Sequence, residues 1–259
     1  MKKNVYITGA GGYLGKALVD KFLTDREYNI YLSFDNVKKL KVDYNIQNAD
    51  IVIHLVAKHP SYLVEDMEEI NYGSTKFLID NIKDDCHFIF LSSELVFKGG
   101  LNKENTVNNK RDPQTKYGQT KMKSEDYIKS LSKKYSIIRT SMLFGGDDSK
   151  RKNFINFLHE ETTKGNKLEL YTDVFCRPTH IQDLTEFIYH VIIEELKGVF
   201  HASGNLYLNR YEIANIIFKY SRKKALFVAC QKPDDSWLQS YNLIPCREFQ
   251  NFNKRNLGD

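Results

Sequence analysis

Tyr117 and Lys121, four residues apart in "KYGQTKMKSED" (116–126), share one face if that segment is helical. A phenol beside an ammonium is eased toward ionisation and can exchange a proton with a substrate oxygen. An amphipathic surface helix gives the same spacing by accident, and the stretch reads as too polar for core. A second group is "TGAGGYLG" (8–15), in which Gly9, Gly12 and Gly15 stand three apart directly after an apolar run. Glycine is needed where a turn is tight, where backbone must approach a pyrophosphate, and where helix and strand pack closely. The helix that follows would turn its free N–H groups and positive dipole end toward phosphates. Asp35 comes twenty residues after Gly15 and ends the run "NIYLSFD". An acid there would accept hydrogen bonds from ribose hydroxyls and repel a 2′-phosphate, which favours NAD(H) over NADP(H); Lys38 and Lys39 soften that repulsion, and a plain turn residue in "FDN" is the other reading. The serines of "FLSSELVF" (90–97) end another apolar run. They could polarise a carbonyl or simply cap a strand.

These groups need a scaffold, and the chain supplies an alternating one. "NVYIT" (4–8), "NIYLSF" (29–34), "KLKVD" (39–43), "IVIHLV" (51–56), "HFIFLSS" (87–93) and "YSIIRTS" (135–141) read as strands. Most are continuously apolar, as expected when both faces of a parallel sheet are covered. "YLGKALVDKFLTD", "EDMEEINYGSTKFLIDNIK" and "TKYGQTKMKSEDYIKSLSKK" carry helical periodicity between them. Repeated strand–helix alternation predicts an α/β fold, a doubly wound parallel sheet of Rossmann type. Residues 1–150 form the dinucleotide-binding domain, with a return segment near 177–202. Residues 151–259 are mostly a smaller substrate-binding lobe, interwoven with it, and "CREFQNFNKRNLGD" at the end reads as a loosely ordered tail.

The bulk numbers exclude other classes. With 259 residues, 41% hydrophobic and 27% charged, the chain suits one large globular domain or a domain with a lobe. A net charge of +5 with scattered lysines argues against nucleic acid and leaves room for an anionic small ligand. Cys86, Cys176, Cys230 and Cys246 lie far apart, a spacing that predicts neither a zinc site nor a disulfide framework. "NVYITGAGG" begins at the very N-terminus, and the apolar runs are short of a membrane span, so a cytoplasmic location without membrane contact is expected.

Together the motifs resemble the extended short-chain dehydrogenase/reductases, which mostly act on nucleotide sugars. The resemblance rests on TGxxGxxG, the serine strand, YxxxK at Tyr117 and Lys121, "INYGSTKFL" with Asn71 at a structural asparagine position, and "IIRTSMLFG". Within that family the likeness is closest to the dTDP-4-dehydrorhamnose reductases, as in "SSELVF", "KYGQTKMKSE", "RTSMLFG", "NFINFL", "CRPTHIQDL" and "GVFHASGNLYLNRYEIA". It implies a catalytic set of Ser93, Tyr117 and Lys121, with Tyr117 as general acid and Lys121 also holding the nicotinamide ribose. Bringing a phenol from near 10 to near neutrality takes roughly 4 kcal/mol of differential stabilisation, which Lys121 and an oxidised nicotinamide would provide. The expected cofactor set is Gly9, Gly12, Tyr13, Leu14, Gly15, Asp35, Asn36, Ala57, Tyr117 and Lys121. For a nucleotide-diphosphate sugar it is Ser93, Glu94, Asn153 and Arg177, the arginine offering a two-pronged donor to the diphosphate. A homodimer is a common state in the family, and no motif requires a metal.

The departures from the family narrow the chemistry. Nucleotide-sugar dehydratases carry Asp-Glu after the catalytic threonine; Glu94-Leu95 stands here, and leucine cannot abstract a proton. GDP-fucose synthases use a cysteine just after the serine pair, absent in this chain, and Leu95 replaces the reductases' tyrosine. The expectation is an NAD(P)H-dependent reductase of a nucleotide-linked 4-keto-6-deoxy sugar. A 4-epimerase holding NAD tightly, or a non-catalytic dinucleotide-binding regulatory subunit, are the alternatives. His180 and Asp183 are expected to cap a helix, and His54 and His201 to be satisfied core residues.

Overall fold

The continuous apolar runs assemble edge to edge into one six-stranded sheet. In the computed structural model, which describes residues 2–33, 44–58, 65–131, 133–146, 153–219, 226–233, 239–252 and 254–255, its strands are β1 (Lys3–Thr8), β2 (Tyr28–Ser33), β3 (Ile51–His54), β4 (His87–Ser93), β5 (Lys134–Thr140) and β6 (Gly198–Ala202). Their spatial order is β6-β5-β4-β3-β1-β2. Val5 pairs with Ile30 on one side and Ile51 on the other, and Ile51 with His87, all in parallel. Successive residues such as Val52 and Ile53, or Phe88, Ile89 and Phe90, are all buried, because both faces are covered. The chain reverses its direction of travel across the sheet at β1, and ligands of such sheets bind beyond the carboxyl ends at that point. The expected strand "KLKVD" lies outside the described residues; a helical turn at Tyr44–Gln47 precedes β3.

Helices α1 (Tyr13–Leu23), α2 (Ser74–Asn81) and α3 (Lys116–Ser130) follow β1, β3 and β4. Leu18 and Phe22 bury one side of α1 completely. Leu78 and Ile79 of α2 and Ile128 of α3 join Tyr6, Val52, Phe88, Phe90 and Ile137 in one apolar cluster. A π-helical segment, Glu69–Gly73, leads into α2 and carries the buried Asn71.

The chain divides into two compact units: residues 1–98, 110–139 and 185–200, and residues 99–109, 140–184 and 201–259. In the second, α4 (Phe154–Thr163) and α6 (Arg210–Lys219) cover a parallel pair, Lys167–Tyr171 with Leu226–Cys230. Leu158, Leu168, Leu170, Ala214 and Phe218 form the core there. Helix α5 (Ile181–Ile193) begins in the second unit and ends in the first. The described part of the segment expected as a loose tail is anchored instead. Phe249, in the short helix Arg247–Gln250, is fully buried, and Arg255 donates to the buried Asp183 from both its backbone and its guanidinium. Its lack of periodicity hid contacts that use single residues rather than a face.

Two histidines of the sheet set an acid limit. Burial holds His87 down to about 4, and burial aided by the charge of Lys121 holds His54 down to about 3. The unfolded chain takes up these protons near pH 6.5, so the folded state loses stability as pH falls below that value. His87 alone contributes a loss of roughly 2 kcal/mol by pH 5. His87→Gln is expected to melt lower than native at pH 7 but to lose clearly less between pH 7 and pH 5, as read by thermal denaturation at both values.

Candidate active site

The glycine turn is built backbone on backbone. Gly9 has φ +69°, a conformation other residues avoid, and its carbonyl accepts the Gly12 N–H at 2.9 Å. A Cβ on Gly15 would stand 2.2 Å from the Gly9 oxygen and 2.8 Å from Ala10 Cα. The first turn of α1 can therefore lie on the loop only without a side chain at 15. No side chain caps α1 at its N-cap, Gly12, and the helix turns its positive end toward this loop. This cradle fits the diphosphate of a dinucleotide. Tyr13 and Leu14 have buried side chains, leaving backbone as their means of serving a ligand. Ala57 is exposed just beyond β3, and the adjoining Lys58 is clamped by Asn71: Oδ1 accepts its N–H at 2.7 Å, and Nδ2 donates to its carbonyl at 3.3 Å. Asn71 Nδ2 also donates to Thr120 Oγ1 of α3 at 3.0 Å. Asp35 and Asn36, with Lys38 and Lys39, lie outside the described residues.

Beneath the turn, His54 ties β1 to α2. Thr8 Oγ1 lies 2.8 Å from its Nδ1 and Ser74 Oγ 3.3 Å from its Nε2. Ser74 spends its own proton on the Ile70 carbonyl. The network therefore assigns the proton of His54 to Nε2, leaving Nδ1 to accept from Thr8. His201 is likewise satisfied, its Nδ1 3.2 Å from the Ile244 carbonyl.

Helix α3 carries Tyr117 and Lys121 of the expected catalytic set, and Ser93 ends the neighbouring β4, all in the first unit. Thr115 caps it by accepting the Gly118 N–H at 3.0 Å. Tyr117 is half-buried in the first turn, and Lys121 is only 2% exposed. The Lys121 Nζ donates to the Leu91 carbonyl at 2.8 Å and sits 4.5 Å from the Phe90 ring centre and 5.8 Å from that of Tyr117. Burial pulls its ammonium down to about 7, with Glu125 opposing. Ser93 ends β4, and its Oγ accepts the Leu95 N–H at 3.2 Å, capping the 3₁₀ turn Glu94–Val96. The capping reading is thus realised, and it leaves the hydroxyl proton available for donation. Glu94 is half-buried in that turn.

Sequence reasoning passed over two residues of this site. A Cβ on Gly118 would stand 2.0 Å from the Leu95 oxygen and 2.9 Å from Pro113 Cβ. Gly118 thus lets α3 press against the turn that follows Ser93; a glycine in the first helical turn beside Tyr117 was the available signal. Glu125 is completely buried, with Ser92 Oγ at 2.6 Å and the Arg139 Nε and Nη2 at 2.9 and 2.7 Å. Nothing in its local sequence marks it as internal.

The remaining expected residues lie in the second unit. Asn153 caps α4, accepting the Asn156 N–H at 2.8 Å. Arg177 donates through Nε to Asn242 Oδ1 at 2.7 Å and through Nη1 to the Gly204 and Asn205 carbonyls. It is a fastener of its own loop. His180 Nδ1 accepts the Gln182 N–H at 3.2 Å, the expected capping role at the start of α5. Among the described residues, no group of three His, Cys, Asp or Glu could hold a metal.

Residues 2–241 match the family model of the RmlD substrate binding domain. The chain belongs to that family. Its relatives include the spore coat polysaccharide biosynthesis protein SpsK of Bacillus subtilis, 24% identical over 84% of this chain and 79% of that protein. The mouse methionine adenosyltransferase 2 subunit beta is 23% identical over 82% of this chain and 70% of that protein. The crystal structure of Bacillus anthracis dTDP-4-dehydrorhamnose reductase in complex with NADP superposes with a TM-score of 0.78, at 26% identity, covering 94% of this chain and 89% of that one.

The desolvated lysine has a thermodynamic signature. Its charge is penalised by the fold fully below pH 7, and the penalty is relieved as pH rises through 7 toward 10.5. A gap of that size is worth up to roughly 5 kcal/mol. Lys121→Met is expected to raise the melting temperature by several degrees at pH 6, with the gain shrinking by pH 9. Gly118→Ala is expected to lower it at both pH values.

Proposed function

We propose that this RmlD-family chain is an NAD(P)H-dependent reductase of a nucleotide-linked 4-keto-6-deoxy sugar. The observation that carries the reading is Lys121, buried behind Tyr117 on α3, with Ser93 at the end of the adjoining β4. The relationship to a dTDP-4-dehydrorhamnose reductase supports it. A reduced nicotinamide, when bound, supplies the hydride. Tyr117 Oη gives its proton to the keto oxygen as that oxygen gains charge. Ser93 Oγ donates a hydrogen bond to the same oxygen. The ammonium of Lys121 favours the phenolate that Tyr117 becomes.

Gly9, Gly12 and Gly15, with the backbone of Tyr13, Leu14 and Ala57, are assigned to the dinucleotide. Asp35 and Asn36 are assigned to its ribose, with NAD(H) favoured on the charge of Asp35. Glu94, Asn153 and Arg177 are assigned to the nucleotide sugar, Arg177 acting alongside its hold on Asn242 and Asn205. The protein would work in the cytoplasm, as a possible homodimer; no described helix is long and apolar enough to cross a membrane. A second reading, a dinucleotide-binding regulatory subunit, is favoured by the methionine adenosyltransferase relative.

Nicotinamide absorbance followed with NADH or NADPH, and dTDP- or UDP-linked 4-keto-6-deoxyhexoses, separates the two. Native protein is expected to consume the reduced cofactor. Tyr117→Phe is expected to be at least a hundredfold slower while still binding dinucleotide. Binding without turnover in the native protein would favour the regulatory subunit.

A further inference from the structure

Glu125 is a fully buried carboxylate of the first unit with two arginines on it, one helical turn after Lys121. Glu125 Oε1 accepts from Ser92 Oγ at 2.6 Å and from Arg139 Nε at 2.9 Å. Its Oε2 accepts from Arg139 Nη2 at 2.7 Å and Arg111 Nη1 at 3.1 Å, with Lys129 Nζ at 3.7 Å. Burial alone would raise this carboxyl, but Arg139, Ser92 and Arg111 outweigh burial and hold it below its usual range. Such a network is more elaborate than a helix needs for docking, since a buried ion pair is seldom a net source of stability. Its outlets are informative. Ser92 is the neighbour of Ser93 on β4, and Lys121 lies one helical turn before Glu125 on α3.

We propose that Glu125 is a positioning residue for this site, acting on Ser93 through Ser92 and on Lys121 through its buried negative charge. The proposal rests on the catalytic set described above. Through Ser92, the carboxylate holds the end of β4 in register with α3, and so sets where Ser93 Oγ stands. The groups facing Lys121 are Tyr117 and Glu125 on its own helix and His54 and the Leu91 carbonyl from the sheet. His54 is held neutral, so Glu125 is the charge that opposes the loss of the Lys121 proton against burial. Arg139, Arg111 and Lys129 face Glu125, and Arg111 also meets Asp126.

The first test needs no substrate. Melting temperatures of Glu125→Gln and of native protein, each with and without Lys121→Met, are measured from pH 5 to pH 9. In the native background the advantage of Lys121→Met begins to shrink near pH 7. In the Glu125→Gln background the onset is expected at least one pH unit lower, and an unchanged onset would overturn the role toward Lys121. This holds even if the native protein reduces no nucleotide sugar, so a failure of the functional reading is seen separately. The second test is Ser92→Ala, which leaves the carboxylate with its arginines. It is expected to lower kcat roughly tenfold or more with the KM for dinucleotide unchanged, and Ser92→Thr to restore it. An unaltered kcat would overturn the role toward Ser93. A Glu125→Gln chain that does not fold transfers the decision to Ser92→Ala.

Discussion

One helix face carries the site. Gly118, Lys121 and Glu125 fall at helical spacing along α3, and each meets the strand or turn beside it through a polar atom or bare backbone. Gly118 lies against the Leu95 carbonyl, Lys121 donates to the Leu91 carbonyl, and Glu125 accepts from Ser92. A neighbouring stripe, Thr120 and Ser124, bonds to Asn71 in the same manner. The helix is thus docked by hydrogen bonds and close approach where most helices are docked by apolar side chains. Ile128 is its one wholly apolar buried residue. Tyr117 and Ser93 stand on the two sides of this same seam.

The arrangement is expensive. An ammonium taken from water into a nearly closed site is disfavoured, and the Lys121 Nζ is compensated by one carbonyl, two ring faces and the field of Glu125. That carboxylate in turn requires Arg139, which is itself 1% exposed and rests over the Phe97 ring. The proposed function accounts for a chain of buried charges that packing alone would not select. Asn71 does for the loop after β3 what Glu125 does for β4, joining Lys58 to Thr120.

Much of this was legible in the sequence, and the limit follows from what periodicity can report. β4 matched its apolar run residue for residue, and the runs at 4–8, 29–34, 51–56 and 135–141 came within a residue or two, since strands buried on both faces announce themselves. The glycine turn was equally plain: its requirement is local and each glycine answers a backbone need. Helix α3 was not legible as core. Thr120, Lys121, Ser124 and Glu125 are buried by partners from β4, β5 and the Asn71 turn, between 14 and 53 residues away, and no local pattern encodes a partner. Gly118 fell in the same gap, because its need arises at Leu95. Arg177 and Asn153 illustrate the converse: residue types suited to a diphosphate also suit loop fastening and helix capping, which is the work visible in the second unit.

The pairing of Glu125 with Arg139 constrains how this protein can change over evolutionary time. Glu125 keeps Arg111 at 3.1 Å and Lys129 at 3.7 Å if Arg139 is lost, whereas loss of Glu125 takes from the buried Arg139 the carboxylate it meets through two nitrogens. Drift by single substitution is therefore harder at 125 than at 139. A neutral residue at 125 is tolerated best once the arginine has gone or another anion has reached it. A branch of the family in which position 125 has become neutral should therefore also have lost the arginine at 139, and with it any reason to keep a serine at 92.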